Sequence, residues 1–405
     1  RNVTITTTSS GGPDQAQLFT PTADNATVKA STIVTTLTDG NDVIITTRDS
    51  SGSQDGNIIV SSDISSTAST DREIRLTAAN DIYIGANISS SAKKLNIKLE
   101  AEGDVIIGSS DGSNTAASTL TTKGGTFTVK GSNSEGNPLL TTGDEAGSFT
   151  IKTGSSIDTT GATGIAGGAV TIETAAQDAD GNGATDADID IYGSITTTGG
   201  AGSSSAGAVG GNVSLETNNT GTITFFTGAD VTTLGGAGDG TNNNGGNAGT
   251  VTLNTNTAII TLTDTTINTS GGAAASGGTQ GAGGTITISD PLVISTNAVT
   301  LNTGATAGNV TISSTINGST DLDITSGTGD VAIQGIIGGT AALSSLDINA
   351  STGNGDIEVT DIGDGTPNPA ITGLTTLGNS STGTLTLDGS NYDFGAGVTF
   401  GSATY

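Results

Sequence analysis

The stretch Gly246-Asn247-Ala248-Gly249-Thr250-Val251-Thr252-Leu253 decides how this chain is read. A strand sends successive side chains to opposite faces, so Val251 and Leu253 fall on one side and Thr252 on the other. β-Branched Val and Thr suit such a pleated surface. The same triplet, apolar–polar–apolar after a small or acidic residue, returns at Ile82-Tyr83-Ile84, Phe127-Thr128-Val129, Phe149-Thr150-Ile151, Val170-Thr171-Ile172, Ile189-Asp190-Ile191, Val213-Ser214-Leu215, Ile286-Thr287-Ile288 and Val310-Thr311-Ile312. Triplets beginning at 58, 82, 105, 127, 149, 170, 189 and 213 follow one another at steps of 19 to 24 residues.

A second strand family interleaves with the first: Leu120-Thr121-Thr122, Ile157-Asp158-Thr159, Ile195-Thr196-Thr197, Val231-Thr232-Thr233 and Ile267-Asn268-Thr269, each running into glycine. Between Val299 and Ile357 the two families alternate at Val299, Val310, Leu322, Val331, Leu346 and Ile357. One such coil cannot bury its apolar stripe alone, whereas stacking equivalent coils hides the stripe in columns and pairs the backbone as a parallel ladder. The pattern predicts an all-β, right-handed parallel β-helix (β-solenoid) of about 20–26 residues per coil, 17–18 coils and a rod on the order of 80 Å. Gly, Asn and Asp between strands are expected to supply positive φ at the corners. An antiparallel sandwich fits less well, because linkers of ten or more residues stand where two-residue hairpins belong. No segment reads as a capped amphipathic helix.

Residues 1–50 hold less regular strands and read as an N-terminal end or cap, residues 51–360 as the regular solenoid, and residues 361–405, with Pro367 and Pro369, as a break followed by C-terminal strands and a subunit connector. Gly-rich connections at 199–211, 235–249 and 271–284 recur at comparable points and should project side by side from one edge, either as flexible loops or as a packed fin used for contact. Neither end shows a capping helix, and open strand edges invite pairing with another copy end to end. The chain opens at Arg1 without an initiator methionine, which reads as a processed chain or a segment of a longer one.

Of 405 residues 64 are Gly, and Cys, His, Met and Trp are absent. Without His there is no imidazole base, and without Cys and His the preferred ligands of zinc, copper and iron–sulfur sites are missing. Net charge is −28, and all eleven Lys and Arg lie between Arg1 and Lys152. A phosphate backbone needs cations to displace its counterions, so nucleic acid is not an expected partner, nor is insertion into a membrane.

Gly210-Gly211-Asn212-Val213-Ser214-Leu215, Gly246-Asn247-Ala248-Gly249-Thr250-Val251-Thr252-Leu253 and Ala282-Gly283-Gly284-Thr285-Ile286-Thr287-Ile288, each after Ile/Val-x-Thr-x-Gly-Gly, resemble the repeats of filamentous-haemagglutinin-type exoproteins and related giant bacterial surface adhesins. The similarity covers residues 50–360 and is one of repeat style. It implies an extracellular, cell-surface protein with a β-helix fold that serves adhesion or fibre formation, with a surface glycan or protein as receptor. The amino-terminal secretion domain of such exoproteins is not found in this sequence.

Asp178, Asp180, Asn182, Asp186 and Asp188 are the candidate metal ligands. Oxygens at positions 1, 3 and 5 followed by glycine match how a calcium loop wraps a hard cation. The bidentate Glu of position 12 is replaced by Ile189, and an acidic solvated turn is the competing reading. Thr38-Asp39-Gly40-Asn41-Asp42 resembles a single unit of a calcium-binding nonapeptide repeat. Thr126/Thr128, Thr222/Thr224, Thr250/Thr252, Thr285/Thr287 and Thr384/Thr386 would, if stacked, form hydroxyl arrays suited to ice or a crystalline surface. A polysaccharide-acting enzyme would need paired carboxylates such as Asp321/Asp323, yet simple alternation already places such residues together on an outward face. The expectation is a non-enzymatic structural or adhesive protein. Calorimetric titration with calcium chloride should give a saturable heat at or below millimolar ion for the native chain and none for Asp178→Asn/Asp180→Asn; no heat from the native chain rejects the calcium loop.

Overall fold

The computed structural model describes residues 1–8, 17–47, 53–131, 147–175, 187–218, 220–349, 353–364 and 369–401. Its strands form three sheets, of 11, 13 and 12 strands, and every pairing is parallel. From Ile58–Val60 to Val331–Ile333 the chain visits them in rotation. Val251–Asn254 lies in the second sheet, Ile260–Thr263 in the first and Thr266–Asn268 in the third, before Ile286–Ile288 returns to the second. The fold is a parallel β-solenoid, built as two compact units: Arg1–Gly161 with Gly168–Thr196 and Leu215–Gly221, and Ala162–Gly167 with Thr197–Ser214 and Thr222–Tyr405.

Register follows the apolar columns in each unit. In the first, Val43, Ile74, Ile97, Phe127 and Val170 lie in line. In the second, Val251, Ile286, Val310, Val331, Ile357 and Leu385 do so. Nearly all of these are fully buried, while the alternate residues remain partly exposed.

Three expectations change. The coil is less uniform than 20–26 residues: Ile58 stands over Ile82 and Val310 over Val331, 24 and 21 residues on, but Phe127 stands over Val170, 43 residues on. The steps at 127, 149, 170 and 189 passed alternately between the second and first sheets, whose triplets look alike, so half-turns were read as turns. With 13 strands in the longest sheet, 17–18 coils are too many. At Ile58, Ile82 and Val105, and again at Val299, Leu322 and Leu346, the reading holds, since each set consists of register partners.

A helix, Ala30–Thr38, was also not foreseen. It buries Ala30, Ile33 and Leu37 on one face and packs on Ile64–Ser66, the outermost strand of the third sheet. It therefore covers an edge that the sequence had left open. Its residues are mostly Thr, Ile and Val, poor helix formers, and Lys29 at its start makes no side-chain cap. Thr36 and Thr38 instead return their hydroxyls to the carbonyls of Thr32 and Val34, at 3.0 and 2.8 Å.

The turn from the third sheet back to the second is closed by one device. The buried hydroxyl of Thr122, Thr159, Thr197, Thr233, Thr269 or Thr303 donates to the carbonyl of Gly125, Gly168, Gly211, Gly249, Gly284 or Gly308 at 2.5–2.7 Å. Ser326 does the same to Gly329, at 2.7 Å. In most of these necks the glycine N–H also returns to the threonine carbonyl, as from Gly249 to Thr233 at 2.8 Å. The partners are three positions apart at Thr122 and sixteen at Thr233, so one neck serves loops of any length. Thr174, Thr217 and Thr255 close turns from the second sheet to the first in the same way, on Ala187, Gly221 and Ala258 at 2.6 Å.

Replacing Thr233 by Val keeps the shape and leaves the buried Gly249 carbonyl without its hydroxyl donor. Urea unfolding should show a loss of about 1–3 kcal/mol for Thr233→Val and a much smaller one for Thr233→Ser; equal losses would mean that the hydroxyl is not what holds the neck.

Candidate functional site

The Gly-rich connections do lie side by side. Gly199 and Gly202 donate to Leu234 and Ala237, and Gly235 and Gly238 donate to Ser270 and Ala273, at 2.8–3.1 Å. On the returning arm Gly207, Gly210, Gly245 and Ala248 donate to Asn244, Asn247, Thr279 and Ala282, at 2.8–3.0 Å. The two arms of one loop also bond: Gly246 donates to Gly236 and Gly281 to Gly272, at 2.8 and 3.0 Å. The result is a hydrogen-bonded fin without regular strands.

The glycines serve close approach here rather than unusual φ. A Cβ on Gly236 would overlap the carbonyl of Gly200, and one on Gly281 that of Gly246. Positive φ values occur near the tips, at Ser204, Gly240, Asn242 and Gly277. The outward surface of the fin is small and polar, with Ser203, Ser204, Asp239, Thr241, Ser276 and Thr279 exposed, and Val209 adds an apolar point at 49% exposure.

Acidic and amide side chains just ahead of the strands form a second system. The Oδ1 of one coil accepts the backbone N–H of the next. Asn57 receives Asp81, Asp81 receives Asp104, and Asp104 receives Ser148, at 2.8–3.1 Å. Asn309 receives Asp330, Asp330 receives Asp356, and Asp356 receives Thr384, at 2.6–2.9 Å. An ionised carboxylate only accepts, so it suits this place. Burial pushes the Asp104 carboxyl up, the Ser148 amide lowers it, and Asp81 raises it again. The small or acidic residue ahead of each triplet is visible in the sequence, whereas its use as an acceptor for the next coil is not.

Of the calcium loop, Asp178, Asp180, Asn182 and Asp186 lie outside the described residues. Asp188 stands ahead of Ile189–Ile191; its N–H reaches Ser148 Oγ at 3.3 Å and its carbonyl accepts the Phe149 amide at 2.8 Å. Neighbouring Asp190 is pushed up by burial and by Asp188. In the nonapeptide-like segment Asp39 caps the helix, and Asp42 accepts the Glu73 amide at 2.9 Å, with Arg72 at 3.7 Å. No group of three carboxylates suited to a metal occurs among the described residues.

The threonine motifs are divided between faces. Thr252, Thr287 and Thr311 align on the second sheet, but Ala332 and Glu358 continue that column, and Thr224 belongs to the first sheet. Asp321 and Asp323 lie on the outer face of the third sheet with Asp347 in register beside Asp323. Two shallow grooves are present, one bordered by Thr7, Ser31, Asp63 and Asn87, the other by Asn309, Asp330, Ala332 and Glu358.

The first unit carries an ion triad centred on the buried Glu100, with Arg75 and Lys98 partly exposed. Arg75 and Lys98 both reach Glu100 at 2.7 Å. Burial raises the Glu100 carboxyl, but the hydrogen bonds from Lys98 and Arg75 outweigh it and hold the group below its ordinary value.

Set against models of protein families, curated proteins and solved structures, the chain matches none.

Burial, then Asp347 and Asp321, push the Asp323 carboxyl up. A carboxyl raised on folding binds its proton more tightly in the native state, so this position favours the fold at low pH and opposes it as pH rises through the native value. Asp323→Asn, which mimics the neutral form, should melt higher than the native chain at pH 7, and thermal scans should show that gap closing towards pH 3. A variant that melts lower at pH 7 contradicts the assignment.

Proposed function

We propose that the chain is a structural and adhesive scaffold of a cell surface, of the kind that the filamentous-haemagglutinin-like repeats suggest, with the fin as its contact element. The observation that supports this most is the fin itself. Three successive loops are held rigidly by backbone hydrogen bonds and present a small polar surface, on a solenoid that does not need them. The Thr303–Gly308 neck closes over four residues with the same bond, so length beyond that serves something other than the coil. Conserving rigidity in an exposed loop lowers the entropic cost of binding a partner there. The outer groups are hydroxyls, amides and one carboxylate, chemistry suited to a glycan or to a polar protein surface. Copies join end to end through the terminal strands, Leu385–Leu387 and Val398–Phe400 being outermost at one end among the described residues. Calcium held by Asp178, Asp180, Asn182, Asp186 and Asp188 would brace the loop that runs from the second sheet to the first.

The test replaces 198–210, 234–248 and 270–283 each by Gly-Ala-Thr-Ala, the sequence between Thr303 and Gly308. The trimmed chain should keep its β-type circular dichroism and lose most of the retention of chain-coated beads on cells or glycan surfaces. Retention equal to that of the native chain removes the fin from the function; absence of retention by the native chain removes adhesion.

A further inference from the structure

Seven of the eleven cations fall on three successive coils of the second sheet and on the corners that feed it: Arg72, Arg75, Lys93, Lys94, Lys98, Lys123 and Lys130. The Leu95 amide bonds the Thr122 carbonyl at 3.0 Å, which sets the Lys93-Lys94 and Lys123 corners on adjoining turns. Arg75 and Lys98 are committed to Glu100, Lys130 to Glu173, and Arg72 to Asp42. Lys93, Lys94 and Lys123 enter no ion pair among the described residues. Asp71 approaches Lys94 through its amide, with Oδ1 accepting the Lys94 N–H at 3.2 Å, and Glu73 faces Asn96 in the same sheet. On a chain of net charge −28 this is a local surplus of positive charge.

The complementary surface lies on the same chain. From residue 153 to 405 there is no Lys or Arg. Asp323 and Asp347 stand in register on neighbouring strands of the third sheet, with Asp321 two residues before Asp323, and all three are partly exposed. Both charged columns repeat at the interstrand spacing of about 4.8 Å, so two solenoids lying alongside bring cations and carboxylates into step. We propose that the Lys93, Lys94 and Lys123 corners of one copy dock on the Asp321, Asp323 and Asp347 face of a second copy. The two surfaces differ, so the contact is heterologous and propagates into lateral arrays rather than closing as a dimer. Repulsion between two strongly acidic chains does not forbid it, because at 0.15 M salt the screening length is about 8 Å and only touching groups count. The contact is additional to the scaffold role, which a chain that never associates laterally could still fill.

Sedimentation velocity of the full chain over a range of concentrations is the test. In 0.15 M sodium chloride the native chain should associate, and in 1 M it should not. Lys93→Glu/Lys94→Glu/Lys123→Glu should weaken association about tenfold or more, as should Asp321→Lys/Asp323→Lys/Asp347→Lys. Mixing these two variants should restore association, the outcome that a merely structural effect does not give. The milder Asp323→Asn/Asp347→Asn pair carries the comparison if triple reversal unfolds the third sheet by circular dichroism. A native chain that stays monomeric in 0.15 M salt overturns the proposal, as does association that is indifferent to salt and to both reversals, the mark of end-to-end strand pairing. A monomeric chain retained on heparin beads through the three lysines overturns it in favour of an anionic polysaccharide.

Discussion

A parallel solenoid permits one vertical spacing only, and every coil must meet it whatever the length of its loops. Chain leaving one strand has to come back to the start of the next at a fixed point. In this protein a buried hydroxyl enforces that point: threonine at the end of a third-sheet strand donates to the glycine carbonyl ahead of the second-sheet strand, from Thr122 to Thr303. In low-dielectric surroundings an unsatisfied carbonyl is costly, so the bond both stabilises and specifies. Above such necks a loop is free to lengthen, and three of them have become the fin.

The acidity of the chain has a physical place in this design. Where a strand begins, the N–H ahead of it has no ladder partner of its own, and a carboxylate or amide one coil below accepts it. Columns of like carboxylates follow, and Asp104 within one of them is raised by burial and by Asp81. Asp190 and Asp323, at outward positions inside strands, are raised in the same way by burial and by neighbouring carboxylates. In the first unit cations offset part of this, most fully at Glu100. In the second unit there are none, which leaves its carboxylates for solvent, dissolved cations or another copy.

Much of the fold was legible because a period-two pattern leaves little choice: Val251 and Leu253 must face the same way, and only stacking hides them. What was missed has identifiable causes. First- and second-sheet triplets such as Phe127-Thr128-Val129 and Phe149-Thr150-Ile151 are alike, so spacing alone could not separate half a turn from a whole one. The helix Ala30–Thr38 is made of β-formers and lacks end signals, and only the exposed edge of Ile64–Ser66 gives it a reason to exist. The motif apolar–x–Thr followed by Gly–x–apolar was in view at Val231-Thr232-Thr233 and Gly249-Thr250-Val251, but a hydroxyl bonding across sixteen positions has no local signature. The fin was foreseen as a cluster of neighbouring loops; its glycines were assigned to corner geometry, whereas close stacking of backbones requires them at Gly236 and Gly281.

Hydrogen exchange at the neck glycines measures this account most directly. The amides of Gly211, Gly249 and Gly284, each bonded to the threonine carbonyl that begins its loop, should exchange as slowly as the strand amides of Val251 and Ile286. Exchange at the rate of an open loop, while those strand amides stay protected, would contradict the idea that the necks hold the coils in register.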